Sequence, residues 1–305
     1  MIATFRARTQ SQTWPYVLIL SAFFIGAGGP ILIRLTQSEG IPSLVIVAYR
    51  QLISLMFFTP FVLARHRHEL RQLGLRDLLF AALAGIVMAV RFLLMFEAYN
   101  NTSVMIVGVL SGSGPLWVAL AETMFLKAVL GRHIWLGLFL ALAGGIMIAF
   151  AGFDGGTSLG NNPTLGVLYA LASAFLSAFY LNIGRSIRSR LSFWSYIWLI
   201  FLFASITSVL ATFAAGMPLT GYSAKGYFWL VVLTITAQVI AHGAINYVLA
   251  YVSATFVSIS SQVSNVVSVL LAYLVFAELP GLLQVVGSVI IIAGVLISTL
   301  KPGKR

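Results

Sequence analysis

Thr234, Gln238, His242 and Asn246 recur every fourth residue inside an otherwise apolar stretch. On a helix this spacing makes one slowly rotating stripe of hydrogen-bonding groups. Ser258, Gln262 and Asn265 follow in the next apolar stretch, with Ser261 and Ser268 alongside, and Ser111 and Ser113 stand in an earlier one. Such groups can hold a polar solute, or they can tie helices together at about 1 kcal/mol per bond. Two cations lie among apolar residues as well. Counted from the expected helix ends, Arg91 is about 22 Å from one surface and Arg50 about 10 Å from the other. Either can meet a carboxylate, or pair with Glu97 or with backbone carbonyls.

Aromatic residues surround these positions. Phe92, Phe96 and Tyr99 share one helical face, as do Phe175 and Phe179, with Tyr180 next to them. Trp14, Trp135, Trp194 and Trp229 fall near the ends of apolar stretches and fit an interfacial belt. Trp117 falls near the middle of its stretch and is a cavity candidate.

Enzymatic readings find little support. There is no H-E-x-x-H, no phosphate-binding loop and no paired intramembrane aspartate. Leu110-Ser111-Gly112-Ser113-Gly114 resembles a nucleophile loop, with His242 the one histidine away from the span ends. Yet Ser111 occupies the place of the first glycine, and a continuous helix does not present a serine as an exposed nucleophile. No catalytic group, metal site or cofactor is expected. A passive membrane scaffold would leave the polar stripe without a task.

The elements that carry these residues are membrane spans. The 305 residues are 60% hydrophobic and 8% charged, with a mean hydropathy of +1.01. A soluble protein of this composition would lack polar cover. The apolar runs are continuous rather than alternating, so they read as helices and not as a barrel. Spans are expected at 14–36, 43–64, 76–98, 103–125, 133–152, 164–184, 193–215, 226–250, 255–277 and 281–300. The first is read as a retained span, not a cleaved leader. Connections are short and leave no room for a separate soluble domain. The net charge of +11 belongs to loops facing the cytoplasm rather than to nucleic-acid binding. With both ends inside, the inner loops hold Arg65, Arg67, Arg71, Arg76, Lys127, Arg132, Arg185, Arg188 and Arg190, whereas the outer side has only Arg34 and Lys225. Cysteine is absent, so thiol chemistry and disulfides are excluded.

Sliding the chain on itself by 150 residues aligns Gly131 with Gly281, Gly137 with Gly287, Gly144 with Gly294, Ser103 with Ser253 and Ser111 with Ser261. This predicts an all-α integral membrane protein of ten transmembrane helices, arranged as two inverted five-helix repeats over residues 1–155 and 156–305. Five passes per copy force opposite orientations, and the loop charges follow that inversion. Two inverted copies about an in-plane axis give alternating access to a midplane site. Gly28, Gly29 and Pro30 read as a hinge inside the first span, since proline removes a backbone hydrogen bond there.

The chain resembles the EamA group of the drug/metabolite transporter superfamily over nearly its whole length. Ala48-Tyr49-Arg50, Ala98 with Ser103, Pro115, and the repeated Gly131…Gly137…Ala143-Gly144 and Glu278…Gly281…Gly287…Ala293-Gly294 carry the resemblance. It departs at Ala128, where the group has glutamate, and at Asn265, where Pro115 would recur. Within the group it looks most like the aromatic amino-acid exporters of the YddG type. That resemblance implies a bacterial inner-membrane exporter of amino acids or related metabolites. No acidic residue sits plainly at the midplane, so movement down a gradient is expected rather than proton exchange. A proton-coupled exporter of another small metabolite or drug is the alternative. The expected substrate contacts are Gln238, His242, Asn265, Trp117, Arg91, Phe92, Tyr99, Gln262, Asn246 and Ser111. The expected partners are a small molecule and lipid, with the protein a monomer or weak dimer.

Overall fold

The computed structural model describes residues 14–111, 113–114, 116–118, 120–121, 132, 135–137, 139–140, 143–144, 147, 162–188, 190–248, 251, 257, 261–277 and 282–299. Among the described residues all regular structure is helical and there is no strand. In hydrocarbon every backbone polar group must be satisfied within the chain, and a helix does this locally. Six segments are long and apolar enough to cross a membrane: Trp14–Ser38, Ser43–Arg65, Leu75–Asn101, Pro163–Arg188, Phe193–Ala214 and Ala224–Val248. The expected fifth span lies largely outside the described residues, as do Glu122, Lys127, Asp154 and Glu278.

In chain order the helices are α1 (Trp14–Gly26), α2 (Gly29–Ser38), α3 (Ser43–Arg65), the short α4 (Arg67–Arg71), α5 (Leu75–Asn101) and α6 (Val104–Ser111). After these come α7 (Pro163–Arg188), α8 (Phe193–Ala214) and α9 (Ala224–Leu233). A π-helical segment (Thr234–His242) joins α9 to α10 (Gly243–Val248), and α11 (Gln262–Phe276) and α12 (Leu282–Thr299) follow among the described residues.

Two of the six spans are interrupted. The first breaks at Ala27-Gly28 between α1 and α2, and Pro30 opens the second piece. Proline has no N–H to return to the carbonyl four residues back, and its fixed φ suits a helix start. Ser268 on α11 donates a hydrogen bond of 2.7 Å to the Ala27 carbonyl at the break. The other interruption is the π segment, whose i→i+5 pattern widens the turn. The interrupted spans lie on each other: α1 packs on the π segment and α10, and α2 packs on α9. A Cβ on Gly26 would stand 3.1 Å from Ala241 Cβ, and one on Gly29 3.4 Å from Ala237 Cβ.

The unbroken helices pair in the same way. α5 lies along α7, while α3 packs on α8 and α8 on α5. Small residues permit the approach: at Gly85 an added Cβ would come within 2.6 Å of Phe203 Cβ and 2.9 Å of the Ile200 carbonyl oxygen. The buried core includes Ile46, Phe58, Met88, Phe96, Tyr196 and Phe201. Phe24, Met56, Leu79, Leu210 and Phe213 point outward instead. An outward apolar surface is what lipid contact requires.

Polar contacts pin both ends. At the end bearing the 65–76 and 188–193 connections, Glu69 accepts hydrogen bonds from Ser192 N at 2.7 Å and Ser195 Oγ at 2.6 Å, and a further one from Ser192 Oγ. Its carboxylate therefore caps the N-terminus of α8, where the helix dipole favours negative charge. Burial opposes ionisation of Glu69, but these hydrogen bonds outweigh it and hold the carboxyl below its usual range. At the opposite end Lys225 pairs with Glu39 at 2.8 Å, and Ser223, the N-cap of α9, donates to the same carboxylate at 2.8 Å.

Candidate functional site

Three long elements carry polar or charged groups into the middle of the bundle. α3 contributes Arg50 and Gln51, α5 contributes Arg91, and the π segment contributes Gln238 and His242; all are buried. The Arg50 guanidinium donates to Gln238 Oε1, and Gln238 Nε2 donates to Gln51 Oε1 at 3.0 Å. Because a π turn holds more residues than an α turn, the four-residue spacing of Thr234, Gln238 and His242 rotates less here. All three, and Asn246 after them, face inward.

Phe92 stands between the two cations. Its ring centroid is 4.6 Å from Arg50 Cζ and 4.2 Å from Arg91 Cζ. Phe96 lies 5.0 Å from Arg50 and Tyr180 lies 5.2 Å from Arg91, so both guanidiniums sit within cation–π range of two rings. Arg91 also donates to Ser177 Oγ at 3.0 Å, and Ser173 Oγ donates to the Arg91 carbonyl at 2.8 Å. His242 stacks on Tyr180 with centroids 5.6 Å apart and meets the edge of Phe92 at 5.5 Å. Tyr180 donates to Asn246 Oδ1 at 2.6 Å, and Asn246 donates to the His242 carbonyl at 2.8 Å.

Two cavities of about 190 Å³ each adjoin this cluster. Both are lined by Phe23, Met95, Ser111, His242, Ile245 and Ser264. Arg91, Ser173, Ser177 and Tyr180 wall the first. Arg50, Phe92, Tyr99 and Pro30 wall the second. Apolar walls with a few convergent polar groups are the usual makeup of a small-molecule site.

The expected contacts are distributed unevenly over this region. Arg91, His242 and Ser111 line the first cavity, and Phe92 and Tyr99 line the second. Gln238 and Asn246 stand behind the walls and hold Arg50 and Tyr180. Trp117 is elsewhere: it donates to Ser113 Oγ at 3.0 Å and meets the edge of Phe175 at 5.5 Å, in a cluster with Val118, Ala121 and Ala178. The side chains of Gln262 and Asn265 lie outside the described residues. Gly29 and Pro30 line the second cavity at the helix break, with Gly28 in the turn beside them.

Gln51, Ser173, Ser177 and Tyr180 join the site without having been singled out as contacts, alongside Arg50, which the sequence offered as a cation able to meet a carboxylate. Ser173 and Ser177 are four residues apart with Tyr180 three further on, so one helical face of α7 carries all three. That spacing was the available signal.

Two family-model matches, both to the EamA-like transporter family, cover residues 13–150 and 164–300. The uncharacterized transporter YdfC of Bacillus subtilis is 24% identical over 77% of this chain and 76% of its own length. The uncharacterized transporter YxxF of the same organism is 23% identical over 96% of this chain and 91% of its own. A solved crystal structure superposes with a TM-score of 0.64 at 18% identity, covering 95% of this chain and 98% of that one, a likeness of fold.

Proposed function

This chain belongs to the EamA-like transporter family, and from that premise we propose that it exports amino acids, aromatic and other apolar ones foremost, or related metabolites, by alternating access. The single observation that carries the substrate reading is the pair of buried guanidiniums beside the cavities. Arg50 and Arg91 meet rings, an amide and a hydroxyl, and no carboxylate among the described residues lies within ion-pair distance of either. A carboxylate-bearing solute with an apolar body would meet the cations at one end and Phe23, Met95 and Ile245 at the other.

Alternating access draws its support from the packing. α5 lies on α7 as the interrupted Ala224–Val248 span lies on the interrupted first span, and α6 meets both α7 and α11. That arrangement is the one expected of ten spans in two inverted copies, residues 1–155 and 156–305, around a midplane site. The basic connections favour both termini in the cytoplasm of a bacterial inner membrane. With no carboxylate at the cavity wall among the described residues, movement down a gradient is the simpler mechanism. The protein then acts as a carrier rather than an enzyme, as a monomer or weak dimer.

Counterflow in proteoliposomes tests the reading. Vesicles loaded with a panel of amino acids and their carboxylate relatives should accelerate entry of labelled aromatic members. Exchange of a sugar or a nucleotide, with none of the aromatic compounds moving, would remove it.

A further inference from the structure

The charge balance of the site points beyond a general carboxylate. Arginine stays protonated under all ordinary conditions, so Arg50 and Arg91 bring two positive charges to one ring, Phe92. Rings and neutral dipoles ease the burial of these charges without cancelling them. Four nitrogens there remain without a hydrogen-bond partner: Arg50 Nε, Gln51 Nε2, Arg91 Nε and His242 Nε2. Each is buried where an open donor or acceptor is costly. Arg50 and His242 both line the second cavity, and Arg91 and His242 the first.

We infer that the preferred cargo is a monoanion: an aromatic or apolar carboxylate without a balancing ammonium, taken in preference to the zwitterionic amino acid. The inference rests on the export reading above and narrows its substrate class. A carboxylate would take the open guanidinium donors and offset one of the two charges. An α-ammonium, only two bonds from that carboxylate, would have to sit in the repulsive field of the same two cations. The described lining offers it hydroxyls and the His242 ring but no carboxylate. One of those hydroxyls, Ser177 Oγ, already accepts from Arg91 at 3.0 Å. Replacing the ammonium by a carbonyl removes the repulsion and keeps the apolar body.

A monoanionic cargo makes transport electrogenic. One charge crossing the membrane is worth about 2.3 kcal/mol per 100 mV, or about fifty-fold in equilibrium accumulation. An inside-negative cell would push such a cargo outward with no coupling ion.

Three probes share one phenyl body and differ in charge: phenylpyruvate (anion), phenylalanine (zwitterion) and phenethylamine (cation). Each is measured by counterflow in proteoliposomes holding the full-length protein. The expected result is exchange of phenylpyruvate at least about tenfold faster than phenylalanine, with phenethylamine inert. Phenylpyruvate should also accumulate toward the positive side of an imposed potential-clamped gradient. Gln238→Glu, which sets a carboxylate beside Arg50, should narrow the anion-to-zwitterion ratio by about tenfold. Phenylalanine exchanging as fast as phenylpyruvate, or anion accumulation indifferent to potential, overturns the inference and leaves the export reading standing. Failure of all three probes, while a sugar or nucleotide moves, overturns both.

Discussion

The Ser268 hydroxyl on α11 donates across 2.7 Å to the carbonyl of Ala27, in the turn that separates α1 from α2. A backbone group at an open turn inside the bilayer has no water to satisfy it, so this side chain takes over that work. Ser268→Ala removes the donor and adds no bulk. It should cost about 1–2 kcal/mol, read as a fall of several degrees in the unfolding temperature in detergent. Ser268→Thr, which keeps the hydroxyl, should recover most of it.

Gly28 and Gly85 separate a flexible position from a packed one. A Cβ on Gly28 meets nothing within 4 Å, and its φ of −71° suits any residue. Gly28→Ala should therefore fold at least as well as the parent, gaining up to about 1 kcal/mol from helix propensity. If the break flexes during transport, the same change slows turnover several-fold with substrate affinity kept. Unchanged turnover would identify the break as static. Gly85→Ala drives its methyl into Phe203 and the Ile200 carbonyl, and should destabilise the fold by about 1–3 kcal/mol.

Arg91 faces the first cavity with one donor on Ser177 and another open. Arg91→Gln should weaken a carboxylate-bearing substrate by about 2 kcal/mol, roughly thirty-fold in half-saturation concentration. Arg91→Lys keeps the charge but not the planar fork, and should fall between. Concentration dependence of counterflow distinguishes these outcomes from a general loss of folded protein, which lowers the maximal rate instead.

Glu69 gives the acid dependence of stability. Its carboxyl sits below its unfolded value because the folded charge is hydrogen-bonded by Ser192 and Ser195. The stability it adds is therefore present above the unfolded carboxyl pKa of about 4.3. It is lost as pH falls through the lower folded value. Glu69→Gln should cost about 1 kcal/mol at neutral pH after solvent screening, and should flatten the loss of stability below about pH 4.3. Thermal unfolding of both proteins across that range checks the sign.

The six long helices could be read in the chain because a span needs about 20 predominantly apolar residues, and their observed ends lie within a few residues of expectation. Pro30 announced the break in the first span, since proline leaves a chemical mark. The π segment left none: it uses the same apolar residues as an α-helix and differs only in hydrogen-bond register. Arg50 was visible as an intramembrane cation, but its meeting with Gln238 depends on how α3 crosses the π segment, which spacing within one helix does not encode. Trp117 shows the converse. Its central position suggested a cavity wall; it meets Phe175 and lines neither of the two cavities described. Tyr180, one of many aromatic residues in its stretch, gains its role from Asn246 and His242, 66 and 62 positions away in the chain.

The pairing of a broken span with a π-bent one, opposite a pairing of two intact helices, makes the bundle mechanically lopsided. α5 and α7 form a strut, and the other flank is a knuckle. If the proposed alternating access operates, its shape change is expected at the knuckle, where backbone geometry is already irregular. A lipid tail or inhibitor that stiffens that one flank would stall the whole protein, while the same wedge against the strut would leave it running.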